Sequence, residues 1–81
     1  MPKEEITSVI AEIVERVSGV PAAQATPESV FTDIGIDSLT KLEIIVATED
    51  QFGVRIDDDD GERLLTVSDV ADYITRSRVT S

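Results

Sequence analysis

The sequence predicts an all-α fold, a small bundle of three longer helices and one short one with a long loop between the first and the second. Three observations lead there. Apolar residues recur at helical spacing in three separate stretches. Glycines, prolines and capping residues stand where those stretches begin and end. The chain has 81 residues, 41% of them apolar, which suffices for one core with little margin. A single domain over residues 1–81 is expected, without internal repeats.

The first helix is expected from about Lys3 to Val17. Ile6, Val9, Ile10, Ile13, Val14 and Val17 form one apolar stripe. Glu4 and Glu5 suit the positive end of its dipole, and Gly19 with Pro21 stops it. From Gly19 to Asp37 the chain reads as irregular, longer than most connections in a compact domain. Val20, Val30, Phe31, Ile34 and Ile36 are its expected anchors. Thr26-Pro27-Glu28 has the pattern of a cap, a proline at N1 and an acid at N2, so a short turn of helix is expected there.

The second helix should run from Ser38 or Leu39 to about Gln51, with Gly53 closing it and Leu39, Leu42, Ile45, Val46 and Phe52 buried. Ile44 and Ala47 fall off the centre of that stripe, so this helix is apolar over more than one face. A wider core contact would account for that, as would the border of a pocket or a partner surface. Val54-Arg55-Ile56 reads as a short extended linker, followed by one irregular helical turn from Asp57 to Glu62 and by Leu64 and Leu65. The last helix starts at Thr66, with Asp69 completing an acidic capping box. Val67, Val70, Ala71 and Ile74 should pack inward, and Arg76 and Arg78 suit its C-terminal end. The tail Val79-Thr80-Ser81 is expected to fray.

Seven Lys and Arg against 17 Asp and Glu give a net charge of −10. Nucleic acids and anionic membranes would repel such a chain, and its natural counterparts are proteins with basic patches. Cysteine and histidine are both absent. That removes disulfides, thiolate metal sites, a cysteine nucleophile and a Ser-His-Asp arrangement, so an enzyme is not expected. No run approaches the ~18 apolar residues of a membrane span, and no signal-peptide pattern opens the chain. A cytoplasmic monomer is the expectation. Self-repulsion among the carboxylates should make stability rise with salt. Thermal melts whose midpoints stay flat between low and moderate ionic strength would contradict this.

The most informative stretch is Asp33-Ile34-Gly35-Ile36-Asp37-Ser38-Leu39. It puts one serine between a Gly- and Asp-containing loop and an apolar-periodic helix, at or beside a helix N-terminus that favours phosphate. Either Asp37 or Ser38 also serves as an ordinary N-cap there. Lys41, one turn on, could approach a phosphate on Ser38, although a solvated or carboxylate-paired lysine is the commoner case. Glu43, Glu49 and Asp50 project an acidic edge from the same helix, the side any enzyme acting at Ser38 would meet. The run Asp57-Asp58-Asp59-Asp60-Gly61 does not fit a calcium loop. With Gly61 at the sixth position, Ile56 and Val67 fall where ligands are required. A solvated acidic helix start is expected, with no metal site.

Asp37-Ser38-Leu39, preceded by Gly35-Ile36 and followed by Leu42-Glu43, resembles the attachment motif of acyl carrier proteins. The resemblance extends through Phe31-Thr32-Asp33, Glu49-Asp50-Gln51-Phe52-Gly53-Val54 and Thr66-Val67-Ser68-Asp69-Val70-Ala71-Asp72-Tyr73-Ile74. It implies a freestanding, right-handed four-helix bundle whose Ser38 carries a phosphopantetheine arm, transferred from coenzyme A by a magnesium-dependent phosphopantetheinyl transferase. The arm's thiol would hold acyl groups as thioesters, importing the sulfur that the chain lacks. Asp37 matches the acid before the modified serine, and Leu39 the residue after it. Glu43, Glu49 and Asp50 match acidic positions of a recognition helix for ketosynthases, acyltransferases and other acyl-processing enzymes. Lys41 puts a positive charge on that usually negative surface, and with Thr40 it replaces residues that are often acidic or small. Asp57 stands where many such carriers have proline. Leu42, Val46 and Ile56 are candidate lining for an acyl pocket. These departures tilt the expectation towards a polyketide or other specialised pathway, with fatty acid biosynthesis close behind and an aminoacyl (peptidyl) carrier as the nearest variant. The competing class is an acidic helical adaptor or inhibitor of a basic protein. In that case Ser38→Ala would leave binding intact and cost only the ~1 kcal/mol of a lost cap.

Overall fold

The computed structural model describes residues 2–79, with side chains described through residue 77. The side chain of Arg78 and the tail residues Thr80 and Ser81 therefore lie outside the described residues. The element order is α1 (Lys3–Ser18), two 3-10 turns (Ala22–Gln24 and Phe31–Ile34), α2 (Ser38–Phe52), α3 (Asp58–Arg63) and α4 (Val67–Val79). The described part is all-helical, as expected, and its only strand-like pairing is an isolated bridge between Val30 and Thr66.

The centre of the bundle is α1, which packs on both α4 and α2. It buries Ile6, Ile10, Ala11, Ile13 and Val14, while Val9 and Val17 lie half-buried at the edges of the stripe. Opposite it, Val67, Val70, Ala71 and Ile74 of α4 are wholly buried, as their spacing predicts. Removing each of the larger side chains from water stabilises the fold by roughly 1.5–3 kcal/mol.

The buried face of α2 differs in part from the expected one. Ile45 and Phe52 face the core as expected, joined by Ile44 and Thr48, whereas Leu39, Leu42 and Val46 are exposed. At 100° per residue Ile44 and Val46 point about 160° apart, so only one of the two can face α1. Thr48 disguises the inner stripe. Its hydroxyl donates to the Ile44 carbonyl at 2.8 Å, which satisfies the group inside its own helix and lets it sit in the core.

The long loop is tied to α4. The Pro27 and Ser29 carbonyls accept from the Ser68 and Val67 N–H groups, and the Phe31 N–H donates to the Leu65 carbonyl at 3.0 Å. Thr66 and Asp69 form the expected reciprocal cap: the Asp69 N–H donates to the Thr66 hydroxyl and the Asp69 carboxylate accepts from the Thr66 N–H. A single turn forms at Thr26-Pro27-Glu28, where one was expected, with the Ser29 N–H donating to the Thr26 carbonyl at 3.0 Å. It goes no further as helix, because the Pro27 and Ser29 carbonyls are given to α4, while the Ser29 hydroxyl donates to the Gln24 carbonyl and accepts from the Thr26 N–H. Phe31 and Ile36 are buried anchors as expected, Ala25 joins them, and Val20, Val30 and Ile34 are half-buried.

The segment after Asp57 is a regular six-residue helix where an irregular turn was expected. Gly61 makes its close seat possible. A Cβ there would lie 3.2 Å from Ile45 Cδ1, so α3 rests on α2 nearer than any other residue allows without adjustment. From the other side the Tyr73 hydroxyl donates to the Asp60 carboxylate at 2.9 Å, linking α3 to α4.

Candidate functional site at the N-terminus of α2

The approach to Ser38 is built by a tight reversal. The 3-10 turn Phe31–Ile34 ends at Gly35, whose φ of 84° is open to glycine and costly for other residues. Ile36 then plugs into the core, and its N–H donates to the Phe31 carbonyl at 3.0 Å. With the backbone pinned on both sides, Asp37 and Ser38 are thrown outward.

Asp37 is the N-cap. Its carboxylate accepts from the Thr40 N–H at 2.8 Å, and its carbonyl accepts from the Lys41 N–H at 2.9 Å. The Thr40 hydrogen bond holds the Asp37 carboxyl below its ordinary value of 3.8. Because the folded value is the lower one, the cap's contribution is complete at neutral pH and is lost as acid carries the group through that depressed value. Asp37→Asn keeps an acceptor that does not titrate. The stability difference between wild type and Asp37→Asn should therefore shrink from neutral pH to about pH 3. Paired urea melts measure it, and a difference unchanged between the two conditions would refute the cap's titration.

Capping by Asp37 leaves Ser38 as the first residue of the helix. Ser38 is exposed, and among the described residues its hydroxyl has no hydrogen-bond partner. Its oxygen thus stands free at the positive end of a 15-residue helix. Next to it a cleft of about 480 Å³ opens between α2 and α3, with Leu42, Ile45, Ile56 and Gly61 on its walls and Asp57, Asp58 and Glu62 at its rim.

The other expected site residues separate into three groups. Leu39 (71% exposed), Leu42, Glu43, Val46 and Asp50 share the outer face of α2, a strip of apolar side chains with acids along it. Glu49 leaves the expected acidic edge: it is half-buried, and its carboxylate accepts from the Ile56 N–H at 2.8 Å, holding the α2–α3 linker in place. Lys41 also turns away from that edge. It is half-buried on the cleft side, its Nζ 6.0 Å from the centre of the Phe31 ring. The expected pocket trio divides too, since Leu42 and Ile56 line the cleft and Val46 does not. Periodicity alone did not find Gly61 and Glu62 as cleft residues. The signal was a glycine within an acidic helix, where propensity disfavours it and close packing explains it.

The pattern for the phosphopantetheine attachment site matches residues 8–74. The chain is similar to an acyl carrier protein of Acidothermus cellulolyticus, 45% identical over 82 aligned positions that cover 100% of this chain and 98% of the relative. It is also similar to a meromycolate extension acyl carrier protein of Mycobacterium leprae, with 49% identity over 91% of this chain and 65% of the relative. Among solved structures, the acyl carrier protein of Enterococcus faecalis superposes with a TM-score of 0.76 at 32% identity, over 95% of this chain and 99% of that one.

Proposed function

The chain belongs to the acyl carrier proteins, which bear a covalent phosphopantetheine group, and from that premise we propose that Ser38 is the attachment residue. The observation that carries the proposal is the free, exposed Ser38 hydroxyl at the first position of α2, beside a cap that Asp37 alone supplies. The residues present fit the group. An anion at this position meets the positive end of the helix, and the cleft offers apolar walls to whatever extends from it. The arm supplies the thiol on which acyl groups are held as thioesters.

In this reading the 81 residues act as one carrier domain, working as a cytoplasmic monomer. The chain catalyses nothing itself. It delivers acyl intermediates of fatty acid or polyketide biosynthesis to ketosynthases, acyltransferases and related enzymes. Leu39, Leu42, Glu43, Val46 and Asp50 form the docking strip. Apolar contacts there are framed by acids that would draw basic patches and speed encounter. Asp37 and Leu39 flank the serine for the phosphopantetheinyl transferase. Tethering supports serial delivery, because it raises the effective concentration of the thioester at each docked enzyme.

The test is incubation with coenzyme A and a promiscuous phosphopantetheinyl transferase, followed by intact-mass measurement and peptide mapping. One added arm on the peptide containing Ser38 is expected. Modification elsewhere, or none, would refute the assignment. The mass of the protein taken from its native host then reads the cargo and separates fatty acyl, polyketide and aminoacyl chains.

A further inference from the structure

Lys41 occupies an electrostatically awkward place. It lies in the first turn and a half of α2, near the positive end of the helix, where a cation is disfavoured. That first turn carries no acidic residue. Among the described residues the one ion pair joins Lys3 to Asp72, and no hydrogen bond engages the Lys41 ammonium. Its Nζ lies over the face of the Phe31 ring, 6.0 Å from the centroid. Glu62 on α3 and Asp69 on α4 attract it without reaching it, and partial burial pushes its pKa down. A charged group is thus kept partly buried with no ion pair or hydrogen bond to another described residue.

The placement of Lys41 relative to Ser38 gives this arrangement a use. Residues three apart share a helix face, and helical side chains lean toward the N-terminus, so the Lys41 stem covers the turn that bears Ser38. Both residues border the same cleft. We propose that Lys41 holds the phosphodiester formed on Ser38 and so starts the arm along the α2–α3 cleft. This inference rests on the assignment of Ser38. A lysine suits the task as a point charge with three donors. A singly charged diester beside it would offset the positive end of the helix and give the ammonium a directly paired anion. Lys41 then acts as a positioning residue whose departure from the family's acidic surface is explained by what it faces.

The test uses the full chain in unmodified and arm-bearing forms, with lysine side chains labelled for NMR, at low salt. The groups that face Lys41 are Glu62 from α3, Asp69 from α4 and the Phe31 ring. Asp57 and Asp58 share the cleft with it, and all of these are present in both forms. The Lys41 pKa is expected to rise by roughly half a unit to one unit on attachment of the arm. The phosphorus resonance of arm-bearing Lys41→Met should be displaced from that of wild type, and Lys3→Met should leave it in place. A protein whose mass includes the arm but whose Lys41 pKa and phosphorus resonance do not respond would overturn this inference alone. Absence of the arm by mass would overturn both this inference and the assignment of Ser38.

Discussion

Ser38→Ala is expected to abolish attachment of the arm completely while leaving the fold intact. On the proposed assignment the reaction needs the free hydroxyl at the head of α2, and alanine supplies none. The fold does not need that hydroxyl, because Ser38 is exposed and makes no hydrogen bond among the described residues. The helix is capped instead by Asp37 through the Thr40 N–H. The cap cost that would attend Ser38→Ala if serine were the N-cap is therefore withdrawn. Alanine is the better helix former, so stability should stay within about 0.5 kcal/mol of wild type. Intact mass after incubation with coenzyme A and the transferase, together with a thermal melt, reads both halves. An Ser38→Ala protein that still gains the arm would sink the functional reading. One that fails to fold would sink the structural account of the cap.

Phe31→Ala should have the largest effect on stability, a loss of about 3–5 kcal/mol. The ring is 2% exposed and is among the largest fully buried side chains. Its backbone is a junction as well, with its N–H donating to Leu65 and its carbonyl accepting from Ile36. Domains have only about 5–15 kcal/mol in total, so this one truncation would remove a large part of the margin. Phe31→Leu, which refills most of the volume, should cost less. Urea unfolding of the two variants against wild type measures the difference. An alanine variant within about 1 kcal/mol of wild type would show that the loop does not depend on this anchor. Because Gly35, Ile36 and Asp37 hang from the same junction, Phe31→Ala should also slow loading at Ser38.

How much could be read without coordinates varied by element. The stripes of α1 and α4 were legible because each has one apolar face and one polar face, so a single rotation satisfies both packing and solvation. The Thr66–Asp69 cap was legible because its bonds span three residues. The inner face of α2 was legible only in part, since Ile45 and Phe52 were expected inside and are, whereas Leu39, Leu42 and Val46 give way to Ile44. The deciding residue, Thr48, looks polar until its hydroxyl is seen returning to Ile44. Thr26-Pro27-Glu28 stopped at one turn for a related reason. Its local capping signal was sound and the Thr26 carbonyl closes the turn, but partners on α4 some forty residues away claimed the Pro27 and Ser29 carbonyls.

At the site the same division holds. Asp37-Ser38-Leu39 at a helix start was visible as a motif, with Asp37 and Ser38 left open as alternative caps. The acidic edge was visible as a helical pattern, but the fate of Glu49 depended on the Ile56 N–H seven residues away. The pairing of Leu42 with Ile56 across one cleft required α3 to be placed, and Gly61 decides how near it comes.

The order of residues alone determined that this chain forms helices, where most of them begin and end, and which hydroxyl sits at the head of the second. These follow from interactions within a few residues, whose geometry any helix supplies. Tertiary structure alone decided which side of α2 faces solvent, that Glu49 serves the linker, and that Lys41 turns toward the cleft. Each of those is a choice between locally equal rotations or partners, and only the shape and donors of a distant segment separate them.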